Sequence, residues 1–161
     1  MKTEIKFAIL YVLASFIWSC IEYLTGLEST HINLHPYFVT PFYILLTAVI
    51  YVLAVREKRA SLGGRITFSK AVVTGIILSL LILVLNPISF YVFNTFINPD
   101  FFKDFAQYKI HTENMTKESA DAYYNFNNLL IRGSLYRCVM GIVATFLTSW
   151  FSKKNISSHV G

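Results

Sequence analysis

Four stretches of this chain are almost free of charge, and each is about long enough to cross a lipid bilayer. They run from Phe7 to Leu24, from Phe38 to Val55, from Ala71 to Ile97 and from about Leu135 to Phe151. The first holds one charged residue, Glu22; the fourth holds one, Arg137, near its start; the second and third hold none. About 20 helical residues cover the hydrocarbon core of a bilayer. The chain is therefore expected to be an all-α membrane protein: one domain over residues 1–161, with four transmembrane helices at about 5–24, 38–55, 70–97 and 134–152.

Composition agrees. Charged residues make up only 14% of the chain and apolar residues 55%, whereas a soluble domain carries about 25% charged residues to face water. The net charge of +5 raises the question of nucleic acid. However, nine of the fourteen Lys and Arg residues flank the apolar runs, and no basic stripe is interleaved with exposed aromatics. Nucleic acid is not an expected partner.

The basic residues instead set an orientation. Lys2 and Lys6 precede span one; Arg56, Lys58, Arg59, Arg65 and Lys70 lie between spans two and three; Lys153 and Lys154 follow span four. Segment 25–37 has no Lys or Arg, and segment 98–131 sets Lys103, Lys109 and Lys117 against Asp100, Asp104, Glu113, Glu118 and Asp121. The positive-inside rule then places both termini and residues 56–70 inside, and segments 25–37 and 98–131 outside. A cleaved signal peptide is the alternative for span one, but Trp18-Ser19-Cys20-Ile21-Glu22 offers no small-residue cleavage site, and Trp18 is too bulky for a lipoprotein site before Cys20.

The outer segment 98–131 carries helix signals. Asn98-Pro99-Asp100 reads as a helix start, and Phe101, Phe102, Phe105 and Tyr108 form an apolar stripe at helical spacing. A second start is expected at Thr116 with Glu118 behind it. Tyr123, Phe126 and Leu130 continue the stripe, and Gly133 is expected to interrupt it before the fourth span. Two short helices follow from this, either lying in the outer headgroup region or packed on themselves as a small cap. Ser157 to Gly161 read as a disordered tail.

Few polar groups interrupt the spans. Glu22 and Arg137 lie at similar depth near the outer ends of spans one and four. Ser15, Ser19, Glu22 and Gly26 share one helical face, as do Ser134, Arg137, Gly141, Thr145 and Thr148. Small residues allow close helix approach. The two charges are candidates for a buried intramembrane pair, the alternative being two side chains that snorkel separately to the headgroups. Span three carries Asn86-Pro87, a candidate polar site at a helix kink, with Gly75, Ser79 and Asn86 on one face. In the outer loop, Glu28, His31 and His35 share a face if that stretch is helical and can then approach one metal ion, with His111 as a distant fourth. Pro36 follows at once, and an ordinary exposed loop is the simpler reading. No catalytic, cofactor-binding or metal-binding residue is assigned, and no cofactor is expected. Two cysteines, Cys20 and Cys138, are too few for a disulfide framework and are expected to be free. Gly63-Gly64 is a turn and not a phosphate loop.

From Ile66 to Lys154 the order of elements resembles the family called domain of unknown function 4199: a basic loop into Thr67-Phe68-Ser69-Lys70-Ala71, Gly75 in the following span, Asn98-Pro99-Asp100-Phe101 at its end, Met115-Thr116-Lys117-Glu118 in the outer segment, and a last span with Gly141 ending on Lys153-Lys154. The resemblance implies a small four-span protein of the bacterial cytoplasmic (inner) membrane. It implies no activity and carries over no functional residue.

Three readings follow. The first is a non-enzymatic structural or accessory protein of the envelope, with the lipid bilayer as its surroundings and a second copy or another membrane protein as partner. The second is a small transporter or channel subunit resting on Asn86, Pro87, Glu22 and Arg137. The third is an enzyme acting on lipid through the outer His and acidic groups. A solid bundle favours the first, a polar cavity crossing the midplane the second, and an outer pocket gathering His31, His35, Glu22 and Arg137 the third.

Overall fold

A computed structural model describes residues 1–152. Lys153, Lys154 and the tail Ser157–Gly161 lie outside the described residues. The order of elements is α1 (Lys2–Leu24), a 3₁₀ turn (Ile32–Leu34), α2 (His35–Ser61), α3 (Phe68–Val92), a π-helical turn (Phe93–Ile97), α4 (Phe101–Glu113), α5 (Lys117–Tyr123) and α6 (Phe126–Ser152). Four stretches are long and apolar enough to cross a membrane: α1, the 3₁₀ turn with α2, α3 with the π turn, and α6.

Around the bundle the helices follow the order α1, α2, α6, α3. Each packs on its two neighbours, and α2 also meets α3 across the middle. The connections built from residues 25–34 and 98–125 gather at one end, here the cap end. The start of α1, the end of α2 and the start of α3 meet at the other, the basic end, where Lys58 Nζ lies 2.8 Å from Glu4 Oε1.

Side chains sort in a way that suits lipid and not water. Large apolar residues cover the perimeter: Ile9, Leu13 and Ile17 on α1, Leu45 and Val49 on α2, Leu80 and Val84 on α3, Val139, Val143 and Phe146 on α6 are all exposed. The interior combines a core of Phe7, Tyr11, Tyr51, Leu78 and Ile82 with small or polar residues, Ser15, Thr47, Thr74, Asn86, Thr145, Thr148 and Ser149 being buried. Several of these hydroxyls donate to the carbonyl four residues back: Thr47 to Tyr43 O, Thr74 to Lys70 O, Thr145 to Gly141 O and Thr148 to Ala144 O. Such bonds satisfy the hydroxyl inside its own helix, so it can be buried without a partner across the interface.

The α3–α6 crossing is the tightest contact with a clear sequence cause. A Cβ built on Gly75 would stand 2.3 Å from Thr145 Oγ1, and one on Gly141 would stand 2.6 Å from Tyr51 Oη and 2.7 Å from Ser79 Oγ. The two hydroxyls over Gly141 are hydrogen-bonded to each other at 2.6 Å. The faces read from the sequence thus point inward: Ser15 and Glu22 on α1, and Gly141, Thr145 and Thr148 on α6, are buried.

Segment 98–131 differs from expectation at its edges. Two helices form, and Thr116 caps α5 by accepting from Ser119 N at 3.3 Å. However, α4 begins at Phe101, its N-cap Asp100 makes no side-chain cap bond, and Asn98 spends its amide elsewhere, as described below. Gly133 does not break the chain: α6 starts at Phe126 and runs through it, because Asn125 Oδ1 accepts from Asn128 N at 3.0 Å and sets the helix start earlier. The α4–α5 pair packs on itself and on the bundle through rings: Phe105 on Tyr124, and Phe102 on Phe90 and Phe126. Helix α3 continues through Pro87 to Val92. Cys20 and Cys138 are free thiols.

Candidate functional site: a polar cavity at the cap end

The chain reverses direction after α1 in a way that turns one acid back into the bundle. Thr25 ends the helix by donating its hydroxyl to Ile21 O at 2.8 Å. Gly26 then takes a φ of +73°, a conformation that glycine adopts without steric cost. Leu27 N donates to Glu22 O and His31 N to Gly26 O, closing the turn. Glu28 thereby folds inward and is 3% exposed. Its Oε2 accepts from Asn98 Nδ2 at 2.8 Å, a bond that ties the first loop to the end of α3.

Glu28 joins Glu22, from the last turn of α1, and His35, the first residue of α2. Ligand-type atoms of these three side chains all lie within 4.8 Å of one another. His35 Nε2 stands 3.9 Å from Glu22 Oε1, too far for a hydrogen bond. The His35 ring is held edge-on against Phe105 of α4, centroids 4.9 Å apart, so the cap positions it. Burial pushes the Glu28 carboxyl up to about 7 against the opposing pull of the Asn98 amide.

These groups line a cavity of about 150 Å³, together with Ser15 and Ser19 of α1, Tyr43 of α2, Asn86 and Ser89 of α3, Asn94 of the π turn, Phe101 of α4 and Arg137 of α6. The π turn helps to shape it. Its wider bond, Asn98 N to Phe93 O, accompanies burial of both Phe93 and Asn94; such turns are frequent at functional sites. Asn94 donates Nδ2 to Phe90 O at 2.8 Å, which leaves its buried Oδ1 without a partner. Glu22 Oε1, Ser15 Oγ and Arg137 Nε are also buried and unpartnered.

The residues singled out in the sequence fall as follows. Glu22, Arg137 and Asn86 all line the cavity, while Pro87 is half-buried in α3 beside it. Glu22 and Arg137 do not form an ion pair within 4.0 Å among the described residues; His35 Nε2 lies 3.9 Å from Glu22 Oε1. The Arg137 guanidinium carbon lies 5.3 Å from the Tyr43 ring centroid instead, an arrangement of cation–π type. His35 and Glu28 do come together, but with Glu22 and not with His31, because residues 25–31 form a turn and not the helix that would align them. His31 and His111 are exposed.

A second void of about 10 Å³ lies deeper, lined by Tyr11, Thr47, Tyr51, Ser79, Cys138 and Arg137, which borders both spaces. That is about the size of one water. Toward the basic end the interior is filled by Phe7, Ala8, Ala54, Leu78 and Ala144.

A family model described as a protein of unknown function, domain of unknown function 4199, matches residues 6–154, nearly the whole chain. No curated protein and no solved structure matches it.

Proposed function

The chain belongs to the domain of unknown function 4199 family, which brings no assigned activity with it, and we propose that it is a non-enzymatic accessory protein of the bacterial cytoplasmic membrane whose working part is a ligand-binding cavity open to the outer side. Both termini are inside in this reading, following the Lys and Arg asymmetry. One observation carries it: at the cap end, side chains from α1, α2, α3 and α6 and from the first loop converge on one polar cavity. Its volume of about 150 Å³ is below that of a drug-sized pocket, and its convergent polar groups suit an ion or a molecule of a few atoms.

Transport would need a route past the packed layer at Phe7, Ala8, Ala54 and Leu78, beside which Thr74, Thr145, Thr148 and Ser149 are also buried. The lipid-enzyme reading has one observation in its favour, since His35, Glu22 and Arg137 share the cavity. A hydroxyl or thiol nucleophile is commonly activated by a base hydrogen-bonded to it. Among the described residues, no such group is hydrogen-bonded to Glu22, Glu28 or His35.

Native mass spectrometry of the protein purified in its own lipid tests the reading. Wild type is expected to carry a non-covalent adduct that Ser19→Phe, which fills the cavity, loses. A ligand-free wild type, or the same adduct on the folded variant, contradicts it. An added lipid that changes mass on incubation moves the reading to catalysis.

A further inference from the structure

We propose that Glu22, Glu28 and His35 form a binding site for a divalent transition-metal ion. The inference rests on reading the cavity as a ligand site and names the ligand class. Two carboxylates and one imidazole, drawn from three separate parts of the chain, place their ligand atoms within 4.8 Å of one another. Both acids are 3% exposed. Among the described residues neither acid forms an ion pair with Arg or Lys within 4.0 Å. Arg137, the cation in the same cavity, is turned to the Tyr43 ring.

A second observation points to a ligand independently of the acids. Asn94 is 6% exposed and lines the same cavity, yet its carbonyl oxygen Oδ1 is unpartnered. A buried carbonyl left open is costly unless something occupies the space before it. Glu22 Oε1 is in the same condition.

The donor set defines the ion. The imidazole nitrogen suits zinc, of borderline softness, and the two carboxylates also suit the harder manganese; all-oxygen sites suit magnesium or calcium. Atoms bound to one such ion at about 2.0–2.2 Å lie about 3.5 Å apart, so the side chains draw together by at most about an ångström on loading. Asn98, which donates to Glu28, fixes one oxygen of that carboxylate and leaves the other for the ion. This is the role that outer-shell partners play at metal sites.

The test uses the full chain in lipid nanodiscs, stripped with chelator and titrated with Zn²⁺ and Mn²⁺ alone. One ion per chain is expected. The isosteric double variant Glu22→Gln/Glu28→Gln is expected to lose at least about 100-fold in affinity, and Asn98→Ala about 10-fold, within the range of outer-shell changes. A wild-type measurement guards against misfolded variants: added Co²⁺ should give the intense visible bands of a low-coordinate site, removed by Zn²⁺. Absence of a stoichiometric ion together with an aqua-like Co²⁺ spectrum overturns the metal site, as does unchanged binding in a folded double variant. If wild type binds neither ion but still carries an organic adduct that Ser19→Phe loses, the metal inference falls and the ligand cavity stands. If it carries nothing, both fall.

Discussion

Replacing Gly75 by leucine should remove about 3 kcal/mol of stability, the upper part of the range for forcing extra atoms into a packed interior. The cause is local. The position where a Cβ would stand is 2.3 Å from Thr145 Oγ1 and 2.6 Å from Thr145 Cγ2, and Thr145 is itself 2% exposed, so it has nowhere to move. Gly75→Ala carries only the first of the added atoms and should cost about half as much. Because the obstructing atoms belong to one side chain, Thr145→Ala should relieve part of that cost. The double variant Gly75→Ala/Thr145→Ala is expected to be more stable than the sum of the singles by about 1 kcal/mol, the size of coupling found between residues in contact. Thermal unfolding of the four proteins in one detergent measures this. Strict additivity, or a Gly75→Leu protein as stable as wild type, would mean that α3 and α6 do not cross there.

The second large effect lies at the basic end, where two ion pairs join α1 to α2 and should behave very differently. Glu4 is 1% exposed and meets Lys58 Nζ at 2.8 Å; the α-amino group of Met1 lies 2.8 Å from its other oxygen. Lys6 pairs with Glu57, but their side chains are 55% and 38% exposed. Removing one partner of a buried pair costs about 3–5 kcal/mol because the other is left uncompensated, whereas exposed pairs contribute about 0–1 kcal/mol. Lys58 keeps some contact with solvent and Glu4 keeps a second amine nearby. Lys58→Met is therefore expected to cost about 2 kcal/mol, somewhat below the buried range. Lys6→Met should cost less than about 0.5 kcal/mol. Glu4→Gln in the Lys58→Met background should restore much of the loss. Equal effects of the two lysine changes in the same unfolding assay would contradict the burial of Glu4.

These two predictions also show which parts of the molecule the sequence makes legible. Long charge-free runs mark helices long and apolar enough to span a membrane, and small residues at helical spacing favour helix contact, so the inward faces of Gly75, Gly141 and Thr145 are readable without coordinates. Glu4 is not readable in that way. In sequence it belongs to a charged flank, and its burial depends on where α2 ends. The cavity is half legible. Glu22, Arg137 and Asn86 stand out as polar residues in apolar runs and do line it. Glu28 sits in a stretch that looks like an exposed loop, and what buries it is the reversal at Gly26 plus an amide 70 residues away on Asn98. Thr25-Gly26 after an apolar run is a helix-stop signal and points to a tight reversal there, but no local pattern names Asn98 as the partner. The π turn at Phe93–Ile97, which accompanies the burial of Asn94, leaves no periodicity to find. Asn98 itself shows the limit of local rules: it has the form of a helix cap, and tertiary structure uses it instead to hold an acid.

A cavity open to the outer side requires the cap end to face outward. The direct measurement is labelling of single cysteines in intact cells by a membrane-impermeant thiol reagent, in a background carrying Cys20→Ser and Cys138→Ser. His31→Cys and Thr112→Cys lie at exposed positions of the cap end, and Ser61→Cys at an exposed position of the basic end. The account predicts that residues 31 and 112 label from outside and that residue 61 labels only after the membrane is opened. Labelling of residue 61 from outside, with 31 and 112 protected, would invert the protein and contradict it.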